Sequence, residues 1–456
     1  MTWFSQFLAR TGPSLAGLFV FALFMALWLG GYYRLYDALL LFWGMHPFRF
    51  PFLDLYGSLA AWDCARQGVD VILADPCDIM HRGYNYSPLW MNLTWIPLTR
   101  GDLNLVGIIL SGAFLISLST LPVAQSRDET ALRIAAVLST MIVLAVERAN
   151  PDIMIFILVA IMLVLLRCSV VARTMGYAIA FLAGAIKYYP FILLGLAVRE
   201  RVRLLVLVTL VSILAFAAFV AIYFEPIREG FPHITSGGPF GDMTGAKNLP
   251  FGVFLIIRDN LFVLAGGMIE AINICTYVAM AVATLATLLV FARVARAMIR
   301  LWRATDVPAT LRRMDEARRI SLFAGALLLS GCFVTGQSYG YRGVFIFLIL
   351  PGLSAIARET AAGPIATASR NAAIYIVVLM WAEALRGFVH SAVIGLLPLR
   401  GLWAIPGQVV EVLAWSAREF AWWFVIAFLF MLLFGFFVDS PLFRSWRGRV
   451  ATAPTA

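Results

Sequence analysis

The densest polar chemistry in the chain lies in residues 51–98. There Asp54, Asp63, Asp70, Asp75 and Asp78 share a stretch with His81, Arg82, Tyr84, Asn85 and Tyr86, followed by Ser87-Pro88-Leu89-Trp90. Such a stretch beside apolar runs is either a solvated connector or a reaction site at a bilayer surface. Asp54 follows Pro51 and Phe52, at a border between lipid and water. A partly dehydrated carboxylate holds protons more tightly, which suits general-base work. Asp54 also precedes the run LYGSLAAW, and Asp is favoured at a helix N-cap. The residues alone leave base and cap equally open.

Two cations also stand out. Lys187 lies in an apolar segment, where an ionisable group is expensive unless it faces a cavity or a partner, or snorkels to the interface. Tyr188, Tyr189 and Pro190 end its helix and would aim its charge into a pocket. Arg342 follows Gln337, Ser338, Tyr339 and Tyr341 at a span end. Its planar fork suits a phosphate, although an arginine there is as often a plain interfacial residue. The knot Glu147-Arg148-Ala149-Asn150-Pro151-Asp152 reads as a pocket wall or a self-satisfied ion pair.

Other chemistries find little support. His81 and His233 lack a metal-ligand spacing, and the two carboxylates of Asp75-Pro-Cys-Asp78 are weak evidence for a divalent cation. No glycine-rich phosphate loop, Ser-His-Asp pattern or nucleotide fingerprint occurs, which argues against an ATP-driven pump. No metal or other cofactor is therefore expected. Of five cysteines, Cys168, Cys275 and Cys332 read as inert core residues. Cys64 and Cys77 share the first loop, and a disulfide between them stays open, because spacing does not establish bridging geometry.

The elements that must position these groups are membrane helices. The 456 residues are 62% hydrophobic and only 13% charged, against about 25% charged in soluble domains. Repeated apolar runs approach the roughly 20 residues that cross a bilayer core. The net charge of +10 falls in short clusters between the runs, which reads as topology signal and not as a nucleic-acid surface. The run 15–29 reads as an uncleaved anchor, with 39–43 interfacial. Arg167 and Arg173 precede, and Arg199, Arg201 and Arg203 follow, a stretch too short for two full spans. That spacing predicts a pair of short or re-entrant helices with Lys187 to Pro190 at the tip. Further runs bring the expectation to an all-α polytopic membrane protein of about 12 transmembrane helices. It is read as one domain over 1–456, with interfacial helices in the non-cytoplasmic loops. The arginines of 293–319 and 444–449 place both termini in the cytoplasm. Loop 34–98, loop 224–250, residues 336–342 and loop 390–408 then share the outer face.

The pattern from Asp54 through Ala60-Ala61, Gly68, Tyr84-x-Tyr86-Ser87-Pro88-Leu89 to Pro97-Leu98, with Lys187-Tyr188-Tyr189-Pro190 as a Lys-x-x-Pro segment, resembles a known family. It is similar to the polyprenyl-phosphate-mannose-dependent mannosyltransferases of the membrane GT-C superfamily, including the phosphatidylinositol mannoside enzymes. Ser87 stands where that family commonly has a second proline, and the 147–152 knot lacks its Gly-Gln-x-Asn look. The resemblance implies transfer of a hexose, mannose first, from a polyprenyl-phosphate sugar to a lipid or glycan acceptor, on the periplasmic face of a bacterial inner membrane. It makes Asp54 the base and Lys187 and Arg342 the donor-phosphate ligands. Tyr84, Tyr86, Trp90, Gln337 and Tyr341 become substrate contacts. A secondary transporter or lipid flippase is the rival reading; it predicts paired broken helices in two matching halves, and no such duplication is visible.

Overall fold

The computed structural model describes residues 3–72, 75–234, 237–266, 268, 271–359, 363–396 and 404–451. The chain opens with α1 (Trp3–Leu29), which runs without interruption through Pro13, then α2 (Tyr33–Phe42) and α3 (Leu53–Arg66). After the first loop come α4 (Leu103–Ser117), α5 (Arg127–Val137), α6 (Thr140–Glu147), α7 (Pro151–Leu165) and α8 (Val170–Lys187). A 3-10 segment, Tyr189–Arg199, leads into α9 (Val202–Gly230). The second half holds α10 (Asn248–Leu264), α11 (Ile272–Ala304), α12 (Val307–Arg313), α13 (Glu316–Thr335), α14 (Ile346–Glu359), α15 (Pro364–Met380), α16 (Ala382–Leu396), α17 (Ala404–Val438) and α18 (Pro441–Ala451). The described strands are β1 (Met243–Thr244) and β2 (Ser338–Tyr339), paired antiparallel.

This is an all-α integral membrane protein. Among the described residues eight helices are long and apolar enough to cross a bilayer, or ten if the bent pairs α5–α6 (48°) and α15–α16 (63°) each count as one span. The difference from the expected dozen lies in α7 and the Tyr189–Arg199 segment, apolar but shorter than the other spans. Buried residues of α6, α7, α13 and α14 form the centre of the core. The lipid-facing helices α9 and α11 are mostly exposed.

The hairpin read from the arginine clusters is present, but only its returning arm, Tyr189–Arg199, is short; α8, at 18 residues, is long and apolar enough to cross. α8 stops at Tyr188, whose φ of 58° no helix continues through, and the chain returns as Tyr189–Arg199. The two arms touch closely at the tip: a Cβ on Gly184 would lie 2.4 Å from the Phe191 ring. At the far end Tyr177 donates to Glu200 at 3.1 Å, and Arg173 pairs with Glu200 at 3.2 Å. Both basic clusters therefore lie at one end and Lys187 at the other.

Three of the loops expected to share a face do converge. β1 joins the 224–250 loop to residues 336–342, and Asn85 of the first loop donates to the His233 carbonyl at 3.5 Å. Of the 390–408 loop, residues 397–403 lie outside the described residues. Cys275 and Cys332 are buried as expected, but Cys168 is exposed, because it sits in the turn between α7 and α8 and not within either helix.

Candidate active site

The first loop re-enters the helical body at the start of α3. There the Phe52 amide donates to the Glu147 carbonyl at 2.6 Å, and the Asp54 amide to the Arg148 carbonyl at 3.2 Å. The residue before α3 is Phe52, left-handed at φ 65° and without a side-chain cap. Its ring lies against Gly107, where a Cβ would come within 2.4 Å. Asp54 is thus in the first helical turn and not the cap. Its negative charge suits that end of the helix dipole, but its oxygens reach outward. Asn150 Nδ2 donates to one at 2.6 Å, and Arg82 stands 3.7 Å from the other.

Asn150 links this carboxylate to the predicted cation. It caps α7, accepting from the Asp152 amide at 3.0 Å, with Pro151 at the first helical position where no amide hydrogen is needed. The same Asn150 oxygen accepts from Lys187 Nζ at 3.1 Å. Lys187 also pairs with Asp152 at 2.7 Å, and Tyr189 donates to Asp152 at 2.6 Å. Arg342 lies over the Tyr189 ring at 4.8 Å and donates to Ser338. Arg342 Nε and Asp152 Oδ2 are buried without a hydrogen-bond partner. Lys187 therefore does not snorkel, and Arg342 faces inward.

In front of this chain is a cavity of about 720 Å³, whose walls include Asp54, Asp75, Asp78, Arg82, Tyr84, Tyr86, Arg148, His233, Tyr339 and Tyr341. Its volume lies within the roughly 300–1,000 Å³ typical of small-molecule sites. The Tyr86 and Tyr341 rings stand 5.7 and 5.4 Å from Lys187 Nζ, and so form the wall between the cavity and the lysine. Burial, then the charge of Asp54, push the Tyr86 hydroxyl well above its ordinary value and keep it a neutral donor. Arg148 stacks on Phe48 at 3.9 Å and pairs with Glu147 at 2.9 Å, while Glu147 accepts from Tyr36 at 2.9 Å.

Arg82 is held by Asp78 at 2.7 Å and the Leu53 carbonyl at 3.1 Å. It can pass there because residue 57 is glycine: a Cβ would sit 2.8 Å from its guanidinium. A Cys64–Cys77 disulfide ties the Asp75–Arg82 turn to α3, settling the pairing the sequence left open. Cys64, Asp75 and Cys77 are near enough to share an ion, but the two sulfurs are already bonded to each other. Asp75 accepts from the amides of Cys77 and Asp78, both at 3.2 Å, and Asp78 from that of Met80 at 3.1 Å and from Arg82. These carboxylates are the turn's own hydrogen-bond acceptors, and burial pushes Asp75 up.

Asp54, Tyr84, Tyr86 and Tyr341 thus line one cavity, with Lys187 and Arg342 immediately behind its aromatic wall. Trp90 and Gln337 lie elsewhere: Trp90 packs near Trp62 at 6.4 Å, and Gln337 donates to Asn248 at 2.8 Å. Arg82, Tyr189 and Tyr339 join the site without having been singled out for it. The signal that marked Asn150 and Asp152 was their place in a polar knot amid apolar residues. The non-glycine residues with positive φ among those described are Phe52, His81, Ala149 and Tyr188. Each sits in or next to a segment that positions the site, where such strain concentrates. No protein-family profile, curated protein or solved structure matches the chain.

Proposed function

We propose that the protein is a GT-C-like glycosyltransferase that moves a hexose, mannose first, from a polyprenyl-phosphate carrier to the hydroxyl of a lipid or glycan acceptor. The observation that carries this reading is the path from Asp54, on the cavity wall, through Asn150 to Lys187. A carboxylate, Arg82 and Arg148 share that cavity wall, with Lys187 behind its aromatic layer, and the reading needs no nucleotide-binding loop.

In this reading the acceptor hydroxyl enters the cavity and gives its proton to Asp54 as its oxygen bonds the anomeric carbon. The bond from that carbon to the phosphate oxygen breaks on the opposite face, the configuration inverts, and polyprenyl phosphate leaves with the electron pair. Lys187 has three donors, and Asp152 and Asn150 take two. The third, with the unpartnered Nε of Arg342, would meet the leaving phosphate by charge-assisted hydrogen bonds. Arg148 would meet it from the cavity side. Tyr84, Tyr86 and Tyr341 would pack against the sugar, and the chemistry calls for no cofactor. The arginine-rich end would be cytoplasmic with both termini, in about 12 spans, and the cavity would face the periplasm of a bacterial inner membrane. The disulfide supports that side, since such bonds persist in oxidising compartments.

The test is incubation of the purified protein with a panel of lipid-linked sugars, products being read by mass. The expected result is release of polyprenyl phosphate with one hexose added to the acceptor. Movement of an intact lipid-linked sugar across a vesicle, without cleavage, would overturn the reading in favour of a flippase.

A further inference from the structure

A second cavity, of about 710 Å³, lies at the opposite end of the helices, between the start of α5, the end of α14 and the first turns of α15. We infer that it binds the headgroup of an anionic phospholipid, with the acyl chains leaving along α15. The inference is independent of the glycosyl-transfer reading.

The charge balance points to an anion. On the cavity wall Glu129 is buried, at 1% exposure, and meets Arg133, Arg318 at 3.0 Å and Arg358 at 2.9 Å. It also accepts from the Gln125 amide at 3.0 Å. One carboxylate saturated by three guanidinium groups leaves net positive charge in a setting where unpaired charge is costly. Arg370 adds a fourth cation on the cavity wall, with no ion-pair partner among the described residues. The other carboxylate on the wall, Asp128, is exposed, and so is Arg370, so the excess positive charge rests first on the three arginines around the one buried Glu129.

The shape points to a lipid. Leu132, Leu353 and Ile374, with several alanines, give the lining an apolar side beside Ser126 and Ser354, and Ile374, 42% exposed, opens it to the side of the helix bundle. A free phosphate would gain nothing from that apolar wall, whereas a phospholipid matches both halves. Basic pockets between membrane helices suit anionic headgroups, and Arg grips phosphate oxygens with its planar fork.

The full-length protein would be equilibrated with vesicles of phosphatidylglycerol or phosphatidylcholine, stripped in detergent, and its retained lipid counted by native mass spectrometry. The parent is expected to keep phosphatidylglycerol in preference to phosphatidylcholine. Arg370→Gln breaks none of the ion pairs above and is expected to hold it at least about fivefold more weakly, the worth of one cation. Arg358→Gln should act in the same direction. Equal retention by the parent and Arg370→Gln would overturn the inference, as would equal retention of the two lipids. Displacement of phosphatidylglycerol by millimolar inorganic phosphate would show a free-anion site and overturn the lipid assignment.

Discussion

Asn150 holds opposite charges on either side of one amide: its nitrogen serves Asp54 and its oxygen serves Lys187. The lysine's deeper commitment is to Asp152, and the two side chains are only 11% and 0% exposed. Removing one member of a buried pair leaves an uncompensated charge at a cost of about 3–5 kcal/mol. Lys187→Ala should therefore lower the thermal midpoint by that equivalent, and Lys187→Ala with Asp152→Ala should recover most of it. A single variant as stable as the parent would contradict the pairing. Asp242 gives a residue-scale pH effect. Its carboxylate packs against Gly340, and burial, then the charge of Glu383, push it up to about 7. The native chain keeps a proton that the unfolded chain loses above about pH 4, so stability from this group falls as pH rises from there through 7. Asp242→Asn should flatten that decline in midpoint between pH 5 and 8; an unchanged slope would refute it.

At the scale of elements, the turn carrying Arg82 is fastened to α3 by the Cys64–Cys77 bond, across a sequence separation of 13. Closing a loop of that size is worth about 3 kcal/mol. Cys64→Ser with Cys77→Ser, or reduction of the parent, should lower the thermal midpoint to the same extent, and a reduced parent that melts like the oxidised one would deny the clamp its role. The hairpin at Lys187 was legible because arginine clusters flank a stretch too short for two spans. The cations were legible because charge in an apolar segment demands a reason. What joins Asp54 to Lys187 was not: Asn150 lies 96 residues from Asp54, and only packing brings the start of α3 onto the α6–α7 junction. Trp90 and Gln337 were marked by type and neighbourhood, but aromatic and amide side chains find partners in many places, and theirs lie in Trp62 and Asn248. The span count blurred at the bent pairs α5–α6 and α15–α16 and at the short α7 and Tyr189–Arg199 segments, since composition registers neither an angle nor where a helix ends.

The whole molecule is polarised. The ion pairs Arg199–Glu316 and Arg312–Asp439 and the Ala124–Ala9 backbone bond gather both ends of the described chain at the arginine-rich end, opposite the Asp54 cavity. In the proposed orientation, which rests on the bias of basic residues, that end faces the cytoplasm. A cysteine at Gly238, where an added side chain meets nothing within 4 Å, should react with an impermeant thiol reagent from outside intact cells. The exposed Cys168, at the other end, should react only in inverted vesicles; the reverse pattern would invert the assignment. The most direct test of the account is turnover by Asp54→Asn with a polyprenyl-phosphate hexose. This nearly isosteric change keeps the Arg148 backbone contact but removes the proton acceptor. Turnover should fall by about 10²–10⁴-fold with the thermal midpoint near that of the parent, whereas parental turnover would remove Asp54 as the base and, with it, the proposed chemistry.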